Sequence, residues 1–250
     1  MDNVVIKHFR IDKDNILTLI EGFEDKLETK HGFKTITILE DTFKANSGDR
    51  IRYSLYEGIV FKENEEKAIS NCSFSIEDKT TINNEFITAE HHLEYLCNVS
   101  NEKIEIKNIP VVELNDVTKK HIQIELLKEK TQERQTDNSK TYVLDLLYTT
   151  KSERGNGFGN IILNYGVTAI KNKMTNEDTM YLNAAPTIRN EENVKKLVKL
   201  YNSVGLTSIV NKIDWEVMIG FKEDLKEMKI NGDESSKMNN QMYLRNLAYG

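Results

Sequence analysis

An apolar, β-branched run over residues 4–11 opens the chain and predicts a first strand. Ile16, Leu17, Leu19, Ile20, Phe23 and Leu27 then recur at helical spacing, which predicts a helix over 15–30 stopping at Gly32. Residues 33–39 alternate and read as a strand or an extended connection. Residues 50–61 and 67–76 give two further strands, with the polar Glu63-Asn64-Glu65-Glu66 as a hairpin turn between them. The pattern is least legible over 78–140. It suggests a short helix over 89–97, a β-like run over 103–112 around Pro110, a helix over 117–133 and a polar loop over 133–140. Clear signals return after that. They predict a strand over 141–149, a helix over 158–173, a strand over 179–184, a turn at Pro186, a helix over 191–204 and closing strands over 208–221. Residues from 231 onward begin polar and read as a loosely held tail. Strands interleaved with helices place the chain in the α+β (α/β) class.

Composition narrows the function classes. The 250 residues are enough for a full core, and 38% hydrophobic with 30% charged residues describes a globular chain. No apolar run approaches the roughly 18–20 residues that span a bilayer, so no membrane partner is expected. The first residues carry no basic leader followed by an apolar stretch, so no signal peptide is expected. A net charge of −6, with a pI near 5.5, argues against a general nucleic-acid binder and tolerates a cationic substrate. Two cysteines, Cys72 and Cys97, make neither a disulfide framework nor a metal site, and a reducing, cytoplasmic compartment is the default expectation.

The densest chemistry lies in Arg154-Gly155-Asn156-Gly157-Phe158-Gly159, between the strand over 141–149 and the helix over 158–173. Glycines at alternate positions allow close backbone approach. A helix N-terminus directly behind them offers unbonded amides and the positive end of a dipole to an anion. The Lys-Ser/Thr pair of a nucleotide-hydrolase loop is missing. The third glycine also comes one residue too early for the dinucleotide fingerprint.

With Arg154, Gly157 and Gly159 at the fixed positions, the stretch matches Arg/Gln-x-x-Gly-x-Gly/Ala and resembles the pyrophosphate loop of the GNAT superfamily of N-acetyltransferases. A second stretch, Leu200-Tyr201-Asn202-Ser203-Val204-Gly205-Leu206, is similar to that superfamily's Leu-Tyr-x-x-x-Gly-Phe. Asn190 is a suitable N-cap for the helix leading to it, and Gly205 a suitable stop. Two positions depart from the pattern: Val194 stands where the family has Asn, with Asn193 one place off, and Leu206 replaces Phe. The resemblance covers about residues 141–221. It implies a GNAT-like mixed, mostly antiparallel central sheet flanked by helices, with the family's fourth and fifth strands splayed. A single domain over 1–230 is expected, with an insertion around 78–140 and a C-terminal tail over 231–250.

The same resemblance implies acetyl-CoA as cosubstrate and no metal. The backbone of Leu147, Tyr148 and Thr149 would bond the pantetheine. The amides of Gly155, Asn156, Gly157, Phe158, Gly159 and Asn160 would hold the pyrophosphate with the Arg154 side chain beside them, and Asn183, Ala184 and Asn193 would complete the cofactor contacts. The reaction would be direct attack of a primary amine, from a small molecule or a peptide, on the thioester. Such an amine, with a pKa of roughly 10, must lose a proton. Asp145, on the strand face of Val143, Leu147 and Thr149, is the candidate base, with a structural acid as the equal alternative. Tyr201 matches the residue that protonates the leaving thiolate in relatives, against the plain reading of a core tyrosine. A CoA-binding or regulatory module without turnover is the alternative function, and a glycine loop that is only a turn is a third. The amine acceptor is not legible, and a homodimer stays open.

Other features carry less. Adjacent His91 and His92 cannot both face one metal from a helix, and His8, His31 and His121 show no sequence-visible partner. Cys72 sits among alternating apolar residues and is expected to be buried. Lys119-Lys120 and Lys195-Lys196 read as solvated faces. Tyr53, Tyr56 and Tyr95 read as core rather than pocket.

Overall fold

Two units, each with its own core, share the chain in this computed structural model. Residues 1–75, 144–172 and 226–250 form the first, and residues 76–143 and 173–225 the second. The structure describes residues 3–12, 14, 16–20, 34–46, 48–57, 68–100, 116–211 and 215–232. In chain order the elements are β1 (Asn3–Ile11), β2 (Leu17–Leu19), β3 (Lys34–Ala45), β4 (Gly48–Glu57), β5 (Ser70–Asp78), α1 (Thr80–Ser100) and α2 (Asp116–Arg134). They continue as β6 (Lys140–Thr149), a 3-10 turn (Lys151–Glu153), α3 (Phe158–Lys173), β7 (Thr179–Ala184), α4 (Glu191–Ser203), β8 (Thr207–Asn211), β9 (Glu216–Phe221) and β10 (Ile230–Asn231). The class is α+β, with sheet pairing mostly antiparallel.

In the first unit the strands run in the order β10-β2-β1-β3-β4-β5. All these pairs are antiparallel except β10 with β2. Alternation sends Phe9, Ile36, Ile38, Tyr53, Leu55, Cys72 and Phe74 inward, and all are buried. α3 packs on this face through Gly166. A Cβ there would stand 3.0 Å from the Phe74 ring and 3.2 Å from the Cys72 sulfur, so a larger residue would lift the helix off the sheet. Tyr165, one position earlier, sets its ring edge-on to Phe9 and to Tyr53, each at 5.6 Å between centroids.

In the second unit β7, β9 and β8 lie side by side and antiparallel, with a bulge in β8 between Ser208 and Val210. Ile82, Phe86 and Ala89 of α1 and Ile124 of α2 pack on Tyr181, Val217, Ile219 and Phe221. Lys130 and Arg134, at the end of α2, lie over the Phe221 ring and both pair with Glu223. α4 runs against β7 and β8.

Two sequence expectations change here. The helix expected over 15–30 is replaced at its start by strand β2. The Asp12 carboxylate accepts from the amides of Asp14 and Ile16, each at 2.9 Å, and turns the chain back on itself so that Leu17 pairs with Ile11. Phe23, Leu27 and Gly32 lie outside the described residues, as do the turn at 63–66, the run at 103–112 and residues 233–250. The short helix expected over 89–97 begins nine residues earlier, where Asp78 accepts from the Thr80 amide at 2.8 Å.

Candidate functional site

From Leu144 in β6 to Asn172 in α3 the segment lies in the first unit. β6 ends at Thr149, and the chain folds through the 3-10 turn, where the Glu153 amide bonds the Thr150 carbonyl at 3.0 Å. Arg154 Nε donates to the Thr149 carbonyl at 3.1 Å and closes the loop on the strand it has just left. Asn156 Nδ2 donates to Glu153 Oε2 at 3.1 Å. Gly155 and Gly157 have φ of +89° and +85°, a backbone that L side chains rarely adopt. A Cβ on either would meet nothing within 4 Å, so open space lies over both.

α3 begins directly behind them. The Gly157 carbonyl accepts its first helical bond from Ile161 at 3.0 Å, and the amides of the first turn have no carbonyl behind them in the helix. No acidic residue stands in that turn. Phe158 is buried and anchors the helix start, while Gly155, Asn156, Gly157 and Asn160 are exposed. Open glycines, a helix N-terminus free of acid and the exposed Lys151 and Arg154 suit a phosphate-bearing ligand.

The strand leading in is not regular. Ser75 Oγ donates to Asp145 Oδ1 at 3.0 Å, and Ser70 Oγ lies 2.9 Å from Thr149 Oγ1. Residues 70 and 75 are five apart on β5, which keeps unbroken register with β4 over that span, so their side chains point to opposite faces. Residues 145 and 149 are four apart and in a regular strand would share a face. β6 therefore departs from regular alternation between Asp145 and Thr149. This corrects the expectation that Asp145 and Thr149 share a face. Thr149 points to α3, where a Cβ on Gly159 would come within 2.9 Å of its Oγ1. Asp145 points the other way, held by Ser75 and by Arg50 at 3.9 Å. Between them Leu147 is half-buried, and Leu146 and Tyr148 are exposed.

The remaining predicted residues belong to the second unit. Asn183 is exposed on β7, opposite Val217, and its carbonyl accepts from the Ala185 amide at 2.9 Å. Asn190 caps α4 by accepting from the Asn193 amide at 2.8 Å, and Asn193 Nδ2 donates to the Ile188 carbonyl at 2.9 Å. Tyr201 is buried in the last turn of α4, and its carbonyl accepts from Val204 and Leu206 at 3.1 and 3.2 Å. Gly205, at φ +96°, ends the helix as expected. Its missing Cβ would fall 2.0 Å from the Asp224 carbonyl oxygen, so no other residue fits.

Several residues carry roles that the sequence alone did not suggest. Ser70 ties β5 to β6. Buried Asp178 accepts from the amides of Lys140 and Thr175, each at 2.7 Å. His8, expected without a partner, lies 2.9 Å from Thr37 Oγ1, and burial lowers its pKa. Lys120 is not a solvated face residue: burial lowers its pKa against the opposing pull of Glu216. Lys195 and Lys196 are exposed and pair with Glu191 and Glu192 one turn back. Cys72 is buried and its thiol is pushed far up by desolvation. Among the described residues no group of three or more His, Cys, Asp or Glu could hold a metal ion, and no helix is long and apolar enough to cross a membrane.

No protein-family model matches the chain, and no curated protein matches it in sequence. Among solved structures it is similar to Arabidopsis thaliana NAA60 in complex with acetyl-CoA, at 12% identity over 70% of this chain and 78% of that one, with a TM-score of 0.37. It is also similar to the same plant protein in complex with a bisubstrate analogue, at 12% identity over 75% of this chain and 79% of that one, with a TM-score of 0.39.

Proposed function

We propose that this chain is a GNAT-like N-acetyltransferase that moves an acetyl group from acetyl-CoA to a primary amine. The observation that carries the reading is the loop between β6 and α3. Two positive-φ glycines lie under open space, a third lets the strand end touch the helix, and an acid-free helix N-terminus stands behind them. In this reading the amides of residues 155–160 hold the pyrophosphate with Arg154, and the backbone of Leu147, Tyr148 and Thr149 holds the pantetheine arm. Asn183 and Asn193 supply further cofactor contacts.

Bound acetyl-CoA supplies the thioester carbonyl that an amine attacks. A backbone amide near the end of β6 polarises that carbonyl as an oxyanion hole does. The ammonium first gives up one proton to become nucleophilic; the C–N bond then forms as the C–S bond breaks, the nitrogen releases a second proton to solvent as the amide forms, and one proton reaches the sulfur. Tyr201 donates the proton that reaches the sulfur. Asp145 sits on the β6 face away from α3, bound to Ser75 and Arg50, and in this reading it holds the strand while water takes the first proton.

Thermal unfolding with and without acetyl-CoA, followed by free-thiol release with a panel of small amines and peptide N-termini, tests the proposal. Stabilisation with thiol release is the expected result. Stabilisation without release from any amine makes the chain a CoA-binding module instead, and no stabilisation overturns both readings.

A further inference from the structure

Ser70 opens β5 and is fully buried, at 0% exposure. Its Oγ donates to the Tyr148 carbonyl at 2.7 Å. A hydroxyl has one hydrogen to give, so in the 2.9 Å contact between Ser70 Oγ and Thr149 Oγ1 the threonine is the donor. Thr149 Oγ1 then sits 2.9 Å from the position of a Cβ on Gly159, in the first turn of α3. Three elements therefore meet at one hydroxyl pair. Beside it the main chain is also fixed, where the Thr150 amide bonds the Ile69 carbonyl at 2.9 Å. Backbone bonds set the strand spacing but leave the rotamer of Thr149 open. Any other rotamer of this β-branched side chain swings its methyl or its hydroxyl to a new place under α3.

We infer that Ser70 is a positioning residue: it locks the Thr149 hydroxyl in the rotamer that lets the first turn of α3 close on β6, and so sets the cradle for the pyrophosphate. The inference rests on the proposed acetyl-CoA reading for what the cradle holds. Ser70 itself touches no ligand and acts through Thr149.

The test uses the full chain, Ser70→Ala and Ser70→Thr, with calorimetric titration of CoA. Steady-state transfer is measured from acetyl-CoA and from acetyl-pantetheine, which lacks the pyrophosphate. One buried hydroxyl making two bonds is expected to matter about tenfold. Ser70→Ala should weaken CoA about tenfold and raise KM for acetyl-CoA by a similar factor. Its kcat, and its kcat/KM for acetyl-pantetheine, should stay within about twofold. Ser70→Thr, which keeps the hydroxyl, should return CoA binding to within about threefold of the parent.

CoA binding by Ser70→Ala equal to the parent's overturns the inference and leaves the acetyltransferase reading standing. An equal loss with both donors also overturns it, because the damage is then general. A parent chain that binds no CoA overturns that reading and this inference together. If no amine turns over, the titration alone decides. If Ser70→Ala fails to fold, Thr149→Val removes the other hydroxyl of the pair and keeps the branched shape. It should lose about tenfold in CoA binding, and unchanged binding overturns the inference.

Discussion

Replacing Gly159 with alanine tests the contact between β6 and α3 directly. The new methyl would lie 2.9 Å from Thr149 Oγ1, closer than carbon and oxygen tolerate, and Thr149 is itself tied to Ser70. Relief requires Thr149 to rotate and give up its bond, at a net cost of about 0.5–1.5 kcal/mol. Alanine also favours helix over glycine by up to about 1 kcal/mol. The two terms nearly cancel, so Gly159→Ala alone should leave stability close to unchanged. Thr149→Ala alone should cost about 1 kcal/mol through the lost bond. In the double variant the bond is lost once rather than twice and the helix gain remains, so it should be about 1 kcal/mol more stable than the sum of the singles predicts. For a chain of this length that is a thermal midpoint about 2–4 °C above the additive value. Far-UV circular dichroism melts of the four proteins measure it. Additivity within about 0.3–0.5 kcal/mol refutes the contact, because separated sites behave that way.

Gly157→Glu places a side chain on a positive-φ position and a negative charge in the open space above it. It should abolish stabilisation by CoA, and retained stabilisation counts against the loop as the phosphate site. Arg154→Ala should weaken CoA and flatten the salt dependence of its binding, as a lost charge contact does; an unchanged salt slope rejects that contact. Tyr201→Phe should lower turnover while leaving CoA titrations unchanged, and full turnover at every pH rejects its role as the acid. In the second unit the Arg134 guanidinium, hydrogen-bonded to Glu223 and opposed by partial burial, acts with Lys130 to hold that carboxyl down to about 2. A folded pKa below the unfolded value of about 4.3 gives stability present above that pH and lost as pH falls from about 4.3 to about 2. Glu223 is 44% exposed, so solvent screening keeps the effect small. Glu223→Gln should melt slightly earlier than the parent at pH 7 and level with it at pH 2; a gap that persists at pH 2 refutes the assignment.

Elements with a clean period and a marked end were legible from residues alone. α3 occupies residues 158–173 as read, and α4 starts at its Asn190 cap and ends before Gly205, because both boundaries are written in local chemistry. β2 was misread because Leu17 and Leu19 fit a helical spacing as well as a strand. The deciding factor is the Asp12 turn, which brings Ile11 alongside. The start of α1 was missed because Thr80-Thr81-Ile82-Asn83-Asn84 has weak helix propensity, and burial of Ile82 and Phe86 overrides it. The glycine loop itself was readable. Ser70 was not, because its partners lie 78 and 79 residues away, and nothing in the local sequence announces a contact at that range. The same long-range geometry hid the break in β6, which shows only when both of its serine contacts on β5 are known.

That break makes a minimum chain length, rather than composition, the strict quantity in this part of the molecule. Between Asp145 and Thr149 the strand changes phase by one residue, so inside and outside are exchanged partway along it. Many side chains can occupy the intervening positions without disturbing either anchor. Deleting one residue would shorten the stretch that must reach from Ser75 to Ser70, whereas adding one would match the spacing on β5 and let a regular strand present the two anchors to opposite faces. Natural variation here should therefore appear as substitutions or a one-residue insertion, and deletion of one residue between these two anchors should break one of the two serine contacts.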